Sequence, residues 1–180
     1  RKWQCSTIQV DFNLPQKFDV TYRDAAGGES PCVMVHRALL GSLERFIGVL
    51  IEHYSGSFPL WLAPIQAAVL TITDKQSAYA QEIAQKLRQE NLRVECDDRY
   101  EKINLKVREA TMNKVPYLIV VGDKEVQNQT VSIRLQNGQS LGVMSLNDLI
   151  DRLKEEIESR KIAPLATVHA GDPKKFDISK

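Results

Sequence analysis

Apolar and polar positions alternate at the start of the chain. Ile8, Val10 and Phe12 stand between Thr7, Gln9 and Asp11, a period of two that predicts a half-buried strand. The other face of that strand carries Cys5, Thr7, Gln9 and Asp11, rich in hydrogen-bonding groups for a face turned to anything but water. Phe18, Val20 and Tyr22 repeat the alternation up to Ala26-Gly27-Gly28, and the run Cys32-Val33-Met34-Val35-His36 follows, which predicts a hairpin. The period then lengthens. Leu43, Phe46, Ile47, Leu50, Ile51 and Tyr54 fall on one stripe of an amphipathic helix, stopped by Gly56 and Pro59.

Beyond Pro64 the rhythm changes. Residues 67–73 read as an apolar strand, 76–90 as a helix with Ala80, Ile83, Ala84 and Leu87 on one face, 92–96 as a short strand and 103–113 as a helix. Residues 117–121 form a continuous apolar run, the pattern of a strand buried on both faces. Val131, Ile133 and Leu135 alternate up to Asn137-Gly138, a hairpin signal, and 140–144 returns. Ser145, with Asp148 three residues on, opens a last helix whose stripe is Leu146, Leu149, Ile150, Leu153 and Ile157. Strands separated by helices imply a parallel core, and the hairpin adds an antiparallel edge. The predicted class is α/β: a mixed, mostly parallel five-stranded sheet flanked by helices, preceded by an α+β segment of antiparallel strands and one helix. The expected divisions are 1–58, a linker at 59–65, the α/β domain at 66–163 and a flexible tail at 164–180.

Composition narrows the classes. The chain has 180 residues, 43 % of them hydrophobic, enough for a core and too many for disorder. No apolar run reaches the roughly 18 residues of a membrane span. With 24 Lys+Arg against 23 Asp+Glu, any contact with nucleic acid must come from a local patch. Three widely spaced cysteines suit reduced thiols and a cytoplasmic location. The chain opens on Arg1 rather than Met, so it reads as processed or as a piece of something longer.

The stretch from His36 to Phe46 carries the most chemistry in the first part. A strand ends in an imidazole, Gly41 makes a turn, and a helix begins with Arg45 near its N-terminus. Such an end favours anions, and a guanidinium there pairs with phosphate or stacks on a purine. The plainer reading pairs Arg45 with Glu44 or Glu52 on a solvated face, and makes His36 a hydrogen-bonded structural residue. Cys32 and His36 suggest a zinc pair, but Cys5, Cys96, His53 and His169 show no ligand spacing that would complete it.

Three segments, Trp3 to Phe12, Pro31 to Phe46 and Trp61-Leu62-Ala63-Pro64, resemble the threonyl-tRNA synthetases, a family of class II aminoacyl-tRNA synthetases. Gly41-Ser42-Leu43-Glu44-Arg45 looks like class II motif 3. The resemblance implies that Arg45 stacks on adenine and serves catalysis, and that Gln4, Thr7 and Gln9 line the ATP and threonine pocket, with Ala38 and Ser42 at its floor. It implies that His36 is one of three zinc ligands, the metal holding the amino group and hydroxyl of threonine, which rejects isosteric valine. ATP with magnesium is then the second substrate. The other two zinc ligands and motifs 1 and 2 lie N-terminal to this segment in the family, so these residues alone are expected neither to make threonyl-adenylate nor to hold zinc tightly. The expected partners of the full-length enzyme are tRNA(Thr), threonine, ATP and a second subunit in a homodimer.

Residues 66–163 resemble the anticodon-binding domain of the same enzymes, through Asp98 to Ile103, Lys106 to Ala110, Val115-Pro116-Tyr117 and Gly122 to Glu125. Arg99, Lys102, Lys106 and Lys114 are within reach of one helix face and, with Arg108 and Arg134, are expected to form a basic patch. The competing reading neutralises them with Asp98, Glu101 and Glu109 as helical pairs. Unstacked loop bases present their edges to such groups. The resemblance makes Arg108, Glu125 and Arg134 the anticodon readers and Lys102 a supporting contact. Tyr100 stands where bacterial members commonly carry Asn, and an aromatic there suits stacking on a base. Gly122-Asp123 reads as a plain turn.

Three functions remain in view. One is the C-terminal part of a threonine–tRNA ligase, and a second is a stand-alone tRNA-binding module derived from one. The third, a flavodoxin-like ligand domain, is opposed by the turn Asp74-Lys75-Gln76, which has no glycine-rich phosphate loop.

Overall fold

A computed structural model describes residues 3–160. The expected tail, 164–180, and the last residues of the predicted second domain lie outside the described residues. The chain divides into two units, Arg1–Tyr54 and Ser55–Lys180.

In the first unit β1 (Thr7–Asp11) is followed by a one-turn helix α1 (Asn13–Lys17), β2 (Thr21–Arg23), β3 (Glu29–Pro31), β4 (Met34–Ala38) and α2 (Leu43–Tyr54). The sequence pattern missed α1. Asp11 starts it, its Oδ1 accepting the N–H groups of Asn13 at 2.8 Å and Leu14 at 3.0 Å, as a helix-capping carboxylate does. The predicted hairpin exists but returns earlier. β2 pairs with β3, around Asp24, whose Oδ1 takes the N–H groups of Ala26 and Gly28. The 32–36 run instead contributes to β4, the antiparallel partner of β1. The apolar face of the first strand is not half-buried, since Ile8 and Val10 are exposed.

The second unit is built on one sheet. Its elements are β5 (Ala67–Thr71), a single 3₁₀ turn (Asp74–Gln76), α3 (Ser77–Gln89), β6 (Val94–Asp97), α4 (Ile103–Met112), β7 (Tyr117–Val121), α5 (Asp123–Asn128), β8 (Thr130–Leu135), β9 (Ser140–Ser145) and α6 (Leu146–Ser159). The strand order is β6-β5-β7-β8-β9. β5 runs parallel to β6 and β7, and the β8–β9 hairpin adds antiparallel strands beyond β7, the mixed α/β sheet expected.

Alternation across the pleat sorts the core. Ala67, Val69, Tyr117, Ile119, Val121, Val131 and Ile133 face α3 and α6 and pack on Ile83, Leu87, Leu149 and Leu153. Ala68, Leu70 and Leu118 face the other way, against Ala110 and Val115. Ser145 caps α6, its Oγ accepting the Asp148 N–H at 3.1 Å. The stretch expected as a linker is packed: Leu60 and Ala63 are buried, and Arg93 donates to the carbonyl oxygens of Trp61 and Ala63. Gly122 starts α5 rather than a plain turn, its N–H donating to Glu125 Oε2 at 3.0 Å.

Candidate functional site

β5 crosses to β6 through α3, and β6 crosses back to β7 through α4, on the opposite face. The carboxyl ends of β5, β6 and β7 therefore meet at a reversal of strand order, the usual place for a ligand crevice in such sheets. A cleft of about 390 Å³ lies there, bounded by Ile72, Asp74, Tyr100 and Lys102. Tyr100 stands on its rim, 89 % exposed. Lys102, also exposed, is the residue before the first turn of α4.

Two of the cations grouped by sequence have other work. The Arg99 guanidinium grips Asp97 through two bonds, Nε to Oδ1 at 2.9 Å and Nη2 to Oδ2 at 2.7 Å, and reaches Glu109 Oε2 at 2.5 Å. Arg99 holds the Asp97 carboxyl below its ordinary range, and the two carboxylates push the Arg99 titration up. Lys106 is 1 % exposed. Its Nζ donates to the Thr71 carbonyl at 3.0 Å, the Thr71 hydroxyl at 3.0 Å and the Asp97 carbonyl at 3.2 Å. The expected patch thus loses Arg99 to an ion-pair cluster and Lys106 to the interior, and keeps Lys102, Arg108 and Lys114 exposed. Glu109 does neutralise Arg99, though from α4 to the loop rather than along one helix. Asp98 turns to α3, accepting from Ser77 Oγ at 2.6 Å and Gln81 Nε2 at 3.1 Å, and the Ser77 bond foremost lowers its carboxyl.

The three residues expected to read bases are spread out. Arg108 is exposed on α4. Glu125 sits at the carboxyl end of β7, where a Cβ on Gly122 would lie 3.0 Å from its Oε2 and 2.7 Å from Ile72 Cδ1. A larger residue at position 122 would have to push the ends of the Ile72 and Glu125 side chains aside. Arg134 lies opposite Leu118, so it shares the sheet face that α4 packs on but stands toward the amino end of β7. Strand rise puts the level of Arg134 about 13 Å from that of Gly122.

Sequence reasoning missed Gln76, 2 % exposed. Its Oε1 accepts the Thr73 N–H and hydroxyl, each at 2.8 Å, and its Nε2 donates to Asp123. The polar letter in an otherwise amphipathic helix start was the available signal.

In the first unit, strand register gathers the candidates. Thr7 pairs with Ala38 and Gln9 with His36, and paired residues share a face. Gln4 donates to Thr7 Oγ1 at 2.8 Å. Ser42 Oγ accepts the Arg45 N–H at 3.3 Å and donates to Glu44 Oε2 at 2.7 Å, which lowers the Glu44 carboxyl. Arg45 is exposed in the first turn of α2. Gly41 has φ +61° and would place a Cβ 3.3 Å from the Cys5 carbonyl oxygen, so glycine suits this turn. His36 Nε2 lies 3.2 Å from Asp11 Oδ2. Among the described residues no three His, Cys, Asp or Glu side chains converge. The residues present do not by themselves fit a zinc ion.

Residues 1–54 match the family model of the tRNA synthetase class II core domain (G, H, P, S and T), and residues 66–156 that of the anticodon binding domain. The threonine–tRNA ligase of Magnetococcus marinus is 54 % identical over 163 residues, 91 % of this chain and 25 % of the relative. That of Clostridium kluyveri is 52 % identical over 160 residues, 89 % of this chain and 25 % of the relative. The chain thus spans about a quarter of the length of these curated relatives. A crystal structure of the RNA binding domain of threonyl-tRNA synthetase from Cryptosporidium parvum superposes with a TM-score of 0.78 at 36 % identity, covering 87 % of this chain and 40 % of that one. With its model spanning half of the sequence, the chain belongs to the anticodon binding domain family.

Proposed function

We propose that residues 66–156 grip the anticodon loop of tRNA(Thr) and that residues 1–54 furnish part of the ATP and threonine wall of a cytoplasmic threonine–tRNA ligase. The observation that carries the reading is Tyr100, a bare aromatic ring on the rim of a cleft with Lys102 beside it. An unstacked loop base has a π-face for Tyr100 and edges for Arg108 and Arg134, and neighbouring phosphates have Lys102. Glu125 keeps a carboxylate at the end of β7 to accept from a base amino group. Because Arg134 and Glu125 sit at different levels of the sheet, the contacts spread over several nucleotides rather than one.

In the first unit the ribbon face with Thr7, Gln9, His36 and Ala38 makes a polar wall, and Arg45 stands free to stack on adenine and pair with phosphate. In this reading ATP with magnesium is substrate, threonine is activated and then passed to tRNA, and the ligase is a homodimer. Zinc belongs to the reading only through His36, and no step is assigned to it.

Nuclease protection of a tRNA(Thr) transcript by the 180-residue chain tests the proposal. Protection is expected in the anticodon loop. Protection confined to the acceptor stem, or none at saturating protein, contradicts it.

A further inference from the structure

Lys106 is a buried cation that the reading above leaves without a task. It is the fourth residue of α4, 1 % exposed. Lysine is almost never buried to that degree unless it is paired. All three of its bonded oxygens are uncharged: the Thr71 carbonyl and hydroxyl, and the Asp97 carbonyl. Thr71 and Asp97 are the last residues of β5 and β6. The ammonium therefore joins two parallel strands at the point where the cleft loops leave the sheet.

An apolar side chain of similar volume would fill this space without desolvating a charge. What it would not do is donate to the Thr71 carbonyl and bridge it to the Asp97 carbonyl, which also takes a 3.4 Å bond from the Thr71 hydroxyl. The next residues make that separation matter. The Asp97 carboxylate clamps Arg99 through Nε and Nη2, and Glu109, three residues along α4 from Lys106, shares Nη2 of the same guanidinium. One turn of α4 thus holds the 98–102 loop twice, by its main chain at Asp97 and by its side chain at Arg99. Tyr100 follows Arg99 directly on that loop, and Lys102 stands two residues further on.

We propose that Lys106 is a positioning residue for RNA binding: its ammonium sets the 98–102 loop, and through it where Tyr100 and Lys102 meet the anticodon loop, without touching RNA. The proposal rests on the anticodon-binding reading above.

The test uses the 180-residue chain and its Lys106→Met variant, which keeps the stem and removes the charge. Two readouts are taken well below the unfolding temperature: affinity for an anticodon stem-loop RNA of tRNA(Thr), and amide hydrogen exchange in the free protein. The variant is expected to bind about tenfold more weakly, the scale of one weakened base–aromatic stack, with faster exchange confined to residues 98–101. Unchanged affinity, or exchange raised uniformly across the sheet as a merely structural role requires, overturns it. If Lys106→Met does not fold, Lys106→Gln takes its place, keeping one donor on a shorter stem without the charge. Local exchange gain with a smaller affinity loss then supports the proposal, and unchanged exchange with unchanged affinity overturns it. Failure of the unaltered chain to bind the RNA would defeat the reading instead, while exchange in the free variant still decides whether Lys106 holds the loop.

Discussion

Gln76 and Asp123 are joined by a 2.6 Å hydrogen bond between residues 47 apart in sequence. Gln76 follows β5 and Asp123 begins α5 after β7, so one buried amide ties together two of the loops at the carboxyl end of the sheet. Replacing it by Ala removes these bonds and leaves the exposed Thr73 N–H and Asp123 carboxylate to water. Gln76→Ala is expected to lose about 0.5–1.5 kcal/mol of stability, measured by urea unfolding with circular dichroism.

Asp97 makes the loop acid-sensitive. Its folded carboxyl titrates below the ordinary value because Arg99 holds it, so its contribution is complete above the unfolded value of about 3.9 and is lost as pH falls through the folded one. Asp97→Asn is expected to be less stable than the parent at pH 7, with the difference disappearing below that window. Thermal unfolding across pH reads this directly.

Tyr117 works at the other end of the scale. Burial first, then its 2.6 Å bond to Glu156 Oε2, pushes its hydroxyl up to about 12. The unfolded chain gives up this proton at about pH 10, so the contribution is intact below that and is lost as pH rises toward the folded value. Tyr117→Phe is expected to flatten the alkaline fall in stability between those limits, as read from unfolding midpoints.

Exposed cations and an exposed ring should separate in RNA binding. Loss of Lys102 is expected to lower the slope of log affinity against log salt by about 0.7, whatever the loop sequence. Tyr100→Ala is expected to lose about 1–3 kcal/mol with little change in that slope, and Tyr100→Phe to retain most of the binding. Fluorescence anisotropy across a salt series distinguishes the two classes.

Long elements with a clear period were legible. β7 has the bounds its apolar run predicts, and α6 begins after the Ser145 cap. The short helices were not: α1 and α5 span 5 and 6 residues, too few turns for a stripe to emerge. The pairing of β4 with β1 rather than with β2 depends on a partner over twenty residues away, which local alternation does not encode. The same holds for the candidate site. Lys102, Arg108 and Lys114 are exposed as a basic patch needs, whereas the burial of Lys106 and the clamp on Arg99 arise from strand ends distant in sequence. Charge counting along α4 treats all of these cations alike, and only the fold separates them.

The central claim is that this chain distinguishes an anticodon loop by its bases. Competition binding between the anticodon stem-loop of tRNA(Thr) and the same stem with its loop bases permuted tests it most directly. The account predicts that the native loop wins by about tenfold, because permutation leaves stacking on Tyr100 in place and removes edge contacts to the bases. Equal competition by the two loops at the same salt concentration would contradict it.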